Sequence, residues 1–166
     1  MKKMELRKKR VFVGIALVII AGLLVVAVFI YRQKFEQVRG GWEVKQDKAD
    51  KTRFEIYVDS GEKYANAVQV DLAYNPDEVE NIDFDKNKSV CELWVYDTPK
   101  IEKPGLISIA CGKPTPGFSG RQYVGAFSIK AKQKTEVAIA PSSQILLNDG
   151  QGTALPFKRV KFIIEP

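Results

Sequence analysis

The chain has 166 residues, contains no histidine and only two cysteines, and carries a formal net charge of +6. The basic excess is local: residues 1–10 hold six Lys and Arg against one Glu, whereas residues 40–166 hold 17 Lys and Arg against 18 Asp and Glu. A near-neutral domain lacks the clustered positive charge of a nucleic-acid surface. Without histidine the commonest general base and the usual zinc ligands are missing, so we expect no enzyme activity, no metal and no other cofactor.

Residues 1–41 have the pattern of a membrane anchor. Val11 to Ile30 is an unbroken run of 20 apolar or glycine residues, which spans about 30 Å as a helix. A cleaved signal peptide is the alternative, but its apolar region usually has roughly 7 to 15 residues and a small-residue cleavage site. We predict a transmembrane helix over residues 11–31, a cytoplasmic basic tail over 1–10 and a juxtamembrane stalk over 32–41. The rest of a single-pass membrane protein is then extracytoplasmic.

Residues 42–166 are typical of an all-β domain. Runs of Val, Ile, Phe and Tyr alternate with clusters of Gly, Pro, Asn and Asp, and no segment of useful length has a helical period. Val68, Val70 and Leu72 alternate with polar residues, so this strand has one buried and one exposed face. The predicted strands are Trp42–Gln46, Thr52–Asp59, Ala65–Tyr74, Val79–Phe84, Val90–Tyr96, Leu106–Cys111, Tyr123–Ala131, Glu136–Ala140, Ser143–Leu147 and Phe157–Ile164. We therefore predict two packed sheets, preceded by the membrane helix.

Both cysteines fall in a predicted hairpin whose loop contains Pro99 and Pro104. One register places three apolar pairs on a common face: Cys91 opposite Cys111, Leu93 opposite Ile109 and Val95 opposite Ile107. Directly opposed cysteines come close enough for a bridge, and an extracytoplasmic compartment permits one. We predict a disulfide between them; the alternative is two reduced cysteines buried as small apolar residues.

Three stretches resemble the cohesin-like modules of the carbohydrate-binding-domain superfamily. They are Ala67–Val79, with a Tyr-Asn-Pro turn; Gly112–Gly120 followed by Val124–Lys132; and Ser142–Thr153. The resemblance implies a jelly-roll-like β-sandwich of about nine strands. It also implies binding, since cohesins bind dockerins and related sandwiches bind polysaccharides.

Three aromatic residues are candidates for ligand binding. Trp94 and Tyr96 lie opposite the apolar face of the predicted hairpin, where exposed rings could stack on a sugar. Phe118 lies in a Pro- and Gly-rich loop of the kind that often carries binding residues. In the alternative interpretation the first two rings pack under the loop and Phe118 caps the core.

These observations predict a membrane-anchored binding or adhesion module that docks a surface protein, either dockerin-like or an envelope component. The second hypothesis is a polysaccharide-binding module with an exposed aromatic platform. Only Trp94 and Tyr96 can be placed together on one face, which favours protein binding over glycan binding.

Overall fold

The computed structural model describes residues 20–28, 40–96 and 98–166. The chain divides into two compact units, Met1–Val38 and Arg39–Pro166. In the first unit, residues 20–28 are helical and exposed. No helix within the described part of the chain is long and apolar enough to cross a membrane. Most of the predicted tail, span and stalk lies outside the described residues, so the anchor stays a prediction.

The described residues of the second unit form eleven β-strands in two sheets. In chain order they are β1 Gly41–Gln46, β2 Arg53–Asp59, β3 Ala65–Ala73, β4 Val79–Asp85, β5 Leu93–Trp94, β6 Lys100–Lys103, β7 Leu106–Gly112, β8 Arg121–Ala131, β9 Thr135–Ile139, β10 Gln144–Leu147 and β11 Lys161–Ile164. The smaller sheet has the order β1-β2-β8-β4. The larger has the order β11-β9-β3-β7-β5, with β10 also paired to β3 and β6 to β7. The predicted two-sheet sandwich is confirmed, with eleven strands in place of about nine.

The core lies between the sheets and is formed by every second residue of the central strands. On β3 the core-facing residues Val68, Val70 and Leu72 are buried, as the alternation predicts. Aromatic pairs join the two sheets: the rings of Phe54 and Phe162 are 4.9 Å apart, and Phe84 lies 5.5 Å from the Trp94 ring. Rings of this size remove much apolar surface from water, so these pairs help to hold the sheets together.

The segment that precedes β7 differs from its predicted structure. The predicted strand Val90–Tyr96 is reduced to the two residues of β5, and the predicted loop contains β6. Trp94, not Cys91, lies opposite Cys111, so the predicted register is wrong by three residues. An odd shift exchanges the faces of a strand. Trp94 therefore packs on the core, and Leu93 is exposed. Burial of the Trp94 ring removes more apolar area from water than burial of its aliphatic neighbours, which explains why the ring takes the core face.

Two short strands follow one another along one edge of β7. β5 pairs with Cys111 and Gly112, whereas β6 pairs with the opposite end of β7, at Leu106 to Ser108. A register shift between Ile101 and Lys103 further interrupts β6. This edge of the larger sheet therefore has no long, straight strand.

Candidate functional site

The outer face of the smaller sheet is charged and internally paired. Arg121 Nε donates to Glu43 Oε2 over 2.5 Å, and Arg53 Nη2 donates to Asp85 Oδ2 over 2.8 Å. The bond from Arg121 holds the pKa of Glu43 below its ordinary value. The same guanidinium lies 3.5 Å from the ring centroid of Tyr57 and covers it. This face has the pattern of a solvated surface whose charges pair with one another, and such exposed pairs contribute little to stability.

The central strands of the larger sheet differ sharply in charge on their outer face. The outward residues of β3, β7 and β10 alternate with the buried ones, and in the part of the chain described none of them is an exposed Asp, Glu, Lys or Arg. The only ionisable residue among them, Asp71, is 2% exposed. Depletion of charge is a mark of protein–protein interface cores. The uncharged central part of this face is therefore the better candidate for a binding surface.

A shallow trough of about 360 Å³ runs over this face. The register shows how it forms, because one row across the sheet reads Leu93, Gly112, Ala67 and Leu146. The two small central residues form a floor, and the leucines stand at its sides. In the next row Val95 donates its backbone N–H to the carbonyl of Ala110.

The polar groups beside the trough are held by a buried carboxylate. Asp71 Oδ1 accepts from Ser108 Oγ over 2.6 Å, and Asp71 Oδ2 accepts from Ser142 Oγ over 2.5 Å. Gln69 Nε2 donates to both carboxylate oxygens, at 3.0 and 3.1 Å. Because a carboxylate only accepts, this contact fixes which way the amide is turned. The carbonyl oxygen of Gln69, which lines the trough, is then available as an acceptor.

The predicted disulfide joins Cys91 and Cys111, whose Cα atoms are 5.8 Å apart. Both residues are buried, and Cys111 also lines the trough. The pairing was predicted correctly from a wrong register. Cys91 lies before β5 rather than within a hairpin strand, so the bridge ties the start of the short strand to β7.

The three predicted binding residues do not come together as a site. Trp94 is half-buried against the core, and Lys86 Nζ lies 5.8 Å from its ring. Tyr96 is 38% exposed, with Lys100 Nζ 5.4 Å from its ring centroid. Phe118 is 4% exposed and exchanges two backbone hydrogen bonds with Ala65, so it caps the core. For Trp94 and Phe118 the structure favours the packing interpretation over an exposed platform.

Trp94 and the disulfide residue Cys111 were among the predicted site residues and also line the trough, whereas its exposed aliphatic residues were not predicted. Leu93 and Val95 are 61% and 64% exposed, although their apolar character assigned them to the core face of a hairpin. The sequence does contain one usable signal. Two small residues, Ala67 and Gly112, occupy outward positions on neighbouring central strands, where exposed β positions usually carry larger polar side chains.

A second cavity of about 460 Å³ adjoins the trough at Gln144, which lines both. It lies between the turn after β9 and the segment that precedes β11, and it is mixed in character. Pro141 and Phe157 supply apolar surface, while Ser142 and Arg159 supply polar groups. The trough is the more apolar of the two and is the surface that a desolvated protein contact would need.

Structural comparison places the second unit among cohesin-like folds. The sixth cohesin of scaffoldin B from Acetivibrio cellulolyticus, solved in complex with a Cel5 dockerin variant, is 14% identical with a TM-score of 0.56; the match covers 76% of this chain and 98% of that one. The cohesin CaCohA2 from Clostridium acetobutylicum gives 11% identity, a TM-score of 0.55, and 78% and 92% coverage. A cohesin module of a family 33 glycoside hydrolase from Clostridium perfringens is 11% identical with a TM-score of 0.50, and the match covers 77% of this chain and 96% of that one. No family model and no curated protein sequence matches the chain.

Proposed function

We propose that this chain is a non-catalytic docking module that binds a dockerin-like protein partner on the outer face of its larger sheet. One observation carries the proposal: the uncharged trough that Leu93, Val95 and Leu146 border, on a surface that is elsewhere richly charged. Exposed aliphatic side chains beside a floor of small residues offer apolar area and close approach to the backbone. Both features suit a packed protein contact.

The trough favours an amphipathic helix as the docking element of the partner. Such a helix lays apolar anchors at i, i+3 and i+4 into a groove of this kind. Gln69 adds a polar contact, because its Nε2 is engaged by Asp71 and its carbonyl oxygen can accept a hydrogen bond from the partner. The cohesin of the Acetivibrio scaffoldin, which shares this fold, was solved with a dockerin bound, and this supports a dockerin-like partner here.

Polysaccharide binding is the less supported alternative. A glycan platform needs flat aromatic faces open to solvent, and Trp94 is committed to the core beside Phe84. On the smaller sheet the Tyr57 ring is covered by Arg121. The exposed apolar residues of the trough are aliphatic, and aliphatic side chains do not stack on sugar rings as aromatic ones do.

We further propose that residues 11–31 anchor the module in a membrane, with residues 1–10 on the cytoplasmic side. The support is the length of the apolar run and the basic residues that precede it. A disulfide in the second unit agrees with an oxidising, extracytoplasmic compartment. Cysteine-scanning accessibility at both ends of the run checks this part: a basic tail labelled from outside intact cells would contradict it.

Site-specific photo-crosslinking tests the docking surface. A benzophenone amino acid replaces Val95 in the full-length chain within its native envelope, and Ile163 is the control position. Ile163 is also an exposed apolar residue, 47% exposed, and lies on β11 at the other edge of the same sheet. A protein adduct at position 95 that is absent at position 163 is expected. Equal labelling at both positions, or label transferred to glycan alone, contradicts the proposal.

Purified components then decide whether the adduct reports docking. Val95→Asp places a charge in the trough without removing core volume, so we expect binding of the recovered protein to weaken at least tenfold, or about 1.4 kcal/mol. Ile163→Asp makes the same chemical change at the far edge and should leave affinity within about twofold. Loss of affinity in neither variant, or in both, argues against the trough.

A further inference from the structure

The trough has one weakly held side, and the residues that form it are Leu93 and Val95. β5 is only two residues long, and two backbone bonds flank it: Glu92 N–H to the carbonyl of Gly112 and Val95 N–H to that of Ala110, both 2.9 Å. So short a strand pair has little stability of its own. Leu93 and Val95 are largely exposed, so burial contributes little to holding them in place.

The opposite side of β7 is far more strongly held. β3 and β7 pair over seven residues, from Ala67–Gly112 to Ala73–Leu106. β3 is in turn bonded to β9 and β10, so the floor of the trough belongs to the centre of the sheet. Local openings of a fold begin where buried contacts are fewest. Any opening in this region therefore starts at β5 and leaves the floor intact.

The disulfide lies at the junction between the weakly held β5 and the strongly held β7. It ties Cys91, two residues before Leu93, to Cys111, which lies opposite Trp94 in the ladder. The covalent bond therefore anchors the weak strand to the strong one at the base of the trough. Of the non-covalent contacts, the packing of Trp94 on Phe84 is the main one on this strand, and the ion pair from Lys113 to Glu92 is long, at 3.6 Å, and exposed.

We infer that the Cys91–Cys111 disulfide makes docking conditional on oxidation: it holds β5 in place as the side of the trough, and the dithiol form lacks that side while the sandwich stays folded. The inference rests on the proposed function for its biological meaning. Forming the bond removes one proton from each thiol and two electrons from the pair. A disulfide oxidant of the glutathione or dithiol-oxidoreductase class accepts the electrons and is itself reduced to two thiols.

This mechanism confines docking to the oxidising side of the membrane. A chain still in a reducing compartment presents a flat floor of small residues, Ala67, Ala110 and Gly112, with no apolar side chains standing along that edge. A partner met too early is then not retained. The partner surface is completed only after the domain reaches the compartment where the disulfide forms.

Hydrogen exchange followed by mass spectrometry tests the inference without any partner. The full-length chain is produced and purified in detergent with a phosphine reductant throughout, so that the bond never forms, and half is then oxidised with glutathione disulfide. Intact mass after alkylation reports two free thiols in the first sample and none in the second. The probe amides are those of Glu92 and Val95, and the reference amides are those of Val70 and Leu72 in β3.

We expect the two probe amides to exchange at least about tenfold faster in the reduced sample, with protection restored by oxidation and the reference amides unchanged. Cys91→Ala/Cys111→Ala should stay in the fast-exchanging state whatever the oxidant. The matched control Val79→Ala, which removes buried volume on β4 and leaves both cysteines, should retain the oxidation response.

Two results overturn the inference. Equal protection of Glu92 and Val95 in both samples means that β5 is held without the bond. Faster exchange throughout β3 in the reduced sample means that the disulfide stabilises the whole sandwich rather than one side of the trough. Neither readout involves a partner, so failure of the docking proposal in the crosslinking experiment is a separate outcome.

Discussion

Replacement of Asp71 by alanine should destabilise the domain more than any other single change on an outer face. The carboxylate is 2% exposed and accepts from three side chains. Alanine leaves Ser108, itself buried, without an acceptor, which costs about 1–3 kcal/mol. Ser142 is exposed and Gln69 half-buried, so water can replace part of what they lose, at about 1 kcal/mol each.

These terms predict that Asp71→Ala lowers the free energy of unfolding by roughly 3–5 kcal/mol, a large share of the stability of an ordinary domain. Urea unfolding of residues 40–166, followed by tryptophan fluorescence with the disulfide intact, measures the change. Asp83→Ala is the matched control, because Asp83 is exposed on the smaller sheet and, among the described residues, accepts from the side chain of Asn81 only. We expect that control to stay within about 0.5 kcal/mol.

A loss below about 1 kcal/mol in Asp71→Ala would refute the reasoning, since it would mean that the three donors are equally well satisfied without the carboxylate. Asp71→Asn separates charge from shape. The amide fills the same space, and the serine hydroxyls can rotate to suit it, so its cost should lie between those of the control and the alanine variant.

Two further predictions concern acid stability and backbone conformation. The Asn87 N–H and the Arg53 guanidinium lower the pKa of Asp85, so its contribution is present above the ordinary value of about 3.9 and is lost as pH falls through the lowered value. Asp85→Asn should therefore flatten the fall in stability between about pH 5 and 2 in an acid titration of unfolding; an unchanged slope contradicts it. Gly117→Ala should lower Tm far more than Gly150→Ala. Both glycines have a positive φ, but only at position 117 would a Cβ lie 2.2 Å from the backbone oxygen of Ala65. Equal losses of Tm in the two variants would contradict this clash.

The strands of the sandwich could be read largely from alternation. On β3 the buried set Val68, Val70 and Leu72 was predicted, because a strand in the middle of a sheet has one face that must leave water. The disulfide could be inferred from compartment and spacing. Strand order could not, because the long crossings that bring β8 beside β2 and β3 beside β7 leave no periodic signal in the sequence.

The burial of the candidate residues could not be predicted, for a physical reason. Between residues 90 and 96, apolar residues alternate with Trp94 and Tyr96, which are themselves partly apolar, so both faces of the strand were credible core faces. Packing against Phe84 on the facing sheet decides the matter, and that ring lies on a distant strand. Phe118 was ambiguous in the same way, because its partner Ala65 lies more than 50 residues earlier.

The two short strands along the outer edge of β7 bear on the self-association of the module at high concentration. A long, straight edge recruits strands from neighbouring molecules and seeds aggregation. Here the edge is divided between Leu93–Trp94 and Lys100–Lys103, and the second piece begins and ends in lysine and carries a register shift. Neighbouring copies at high density therefore find no continuous template along this edge on which to extend the larger sheet. The apolar trough can then be displayed beside an edge that does not itself recruit strands from further copies of the module.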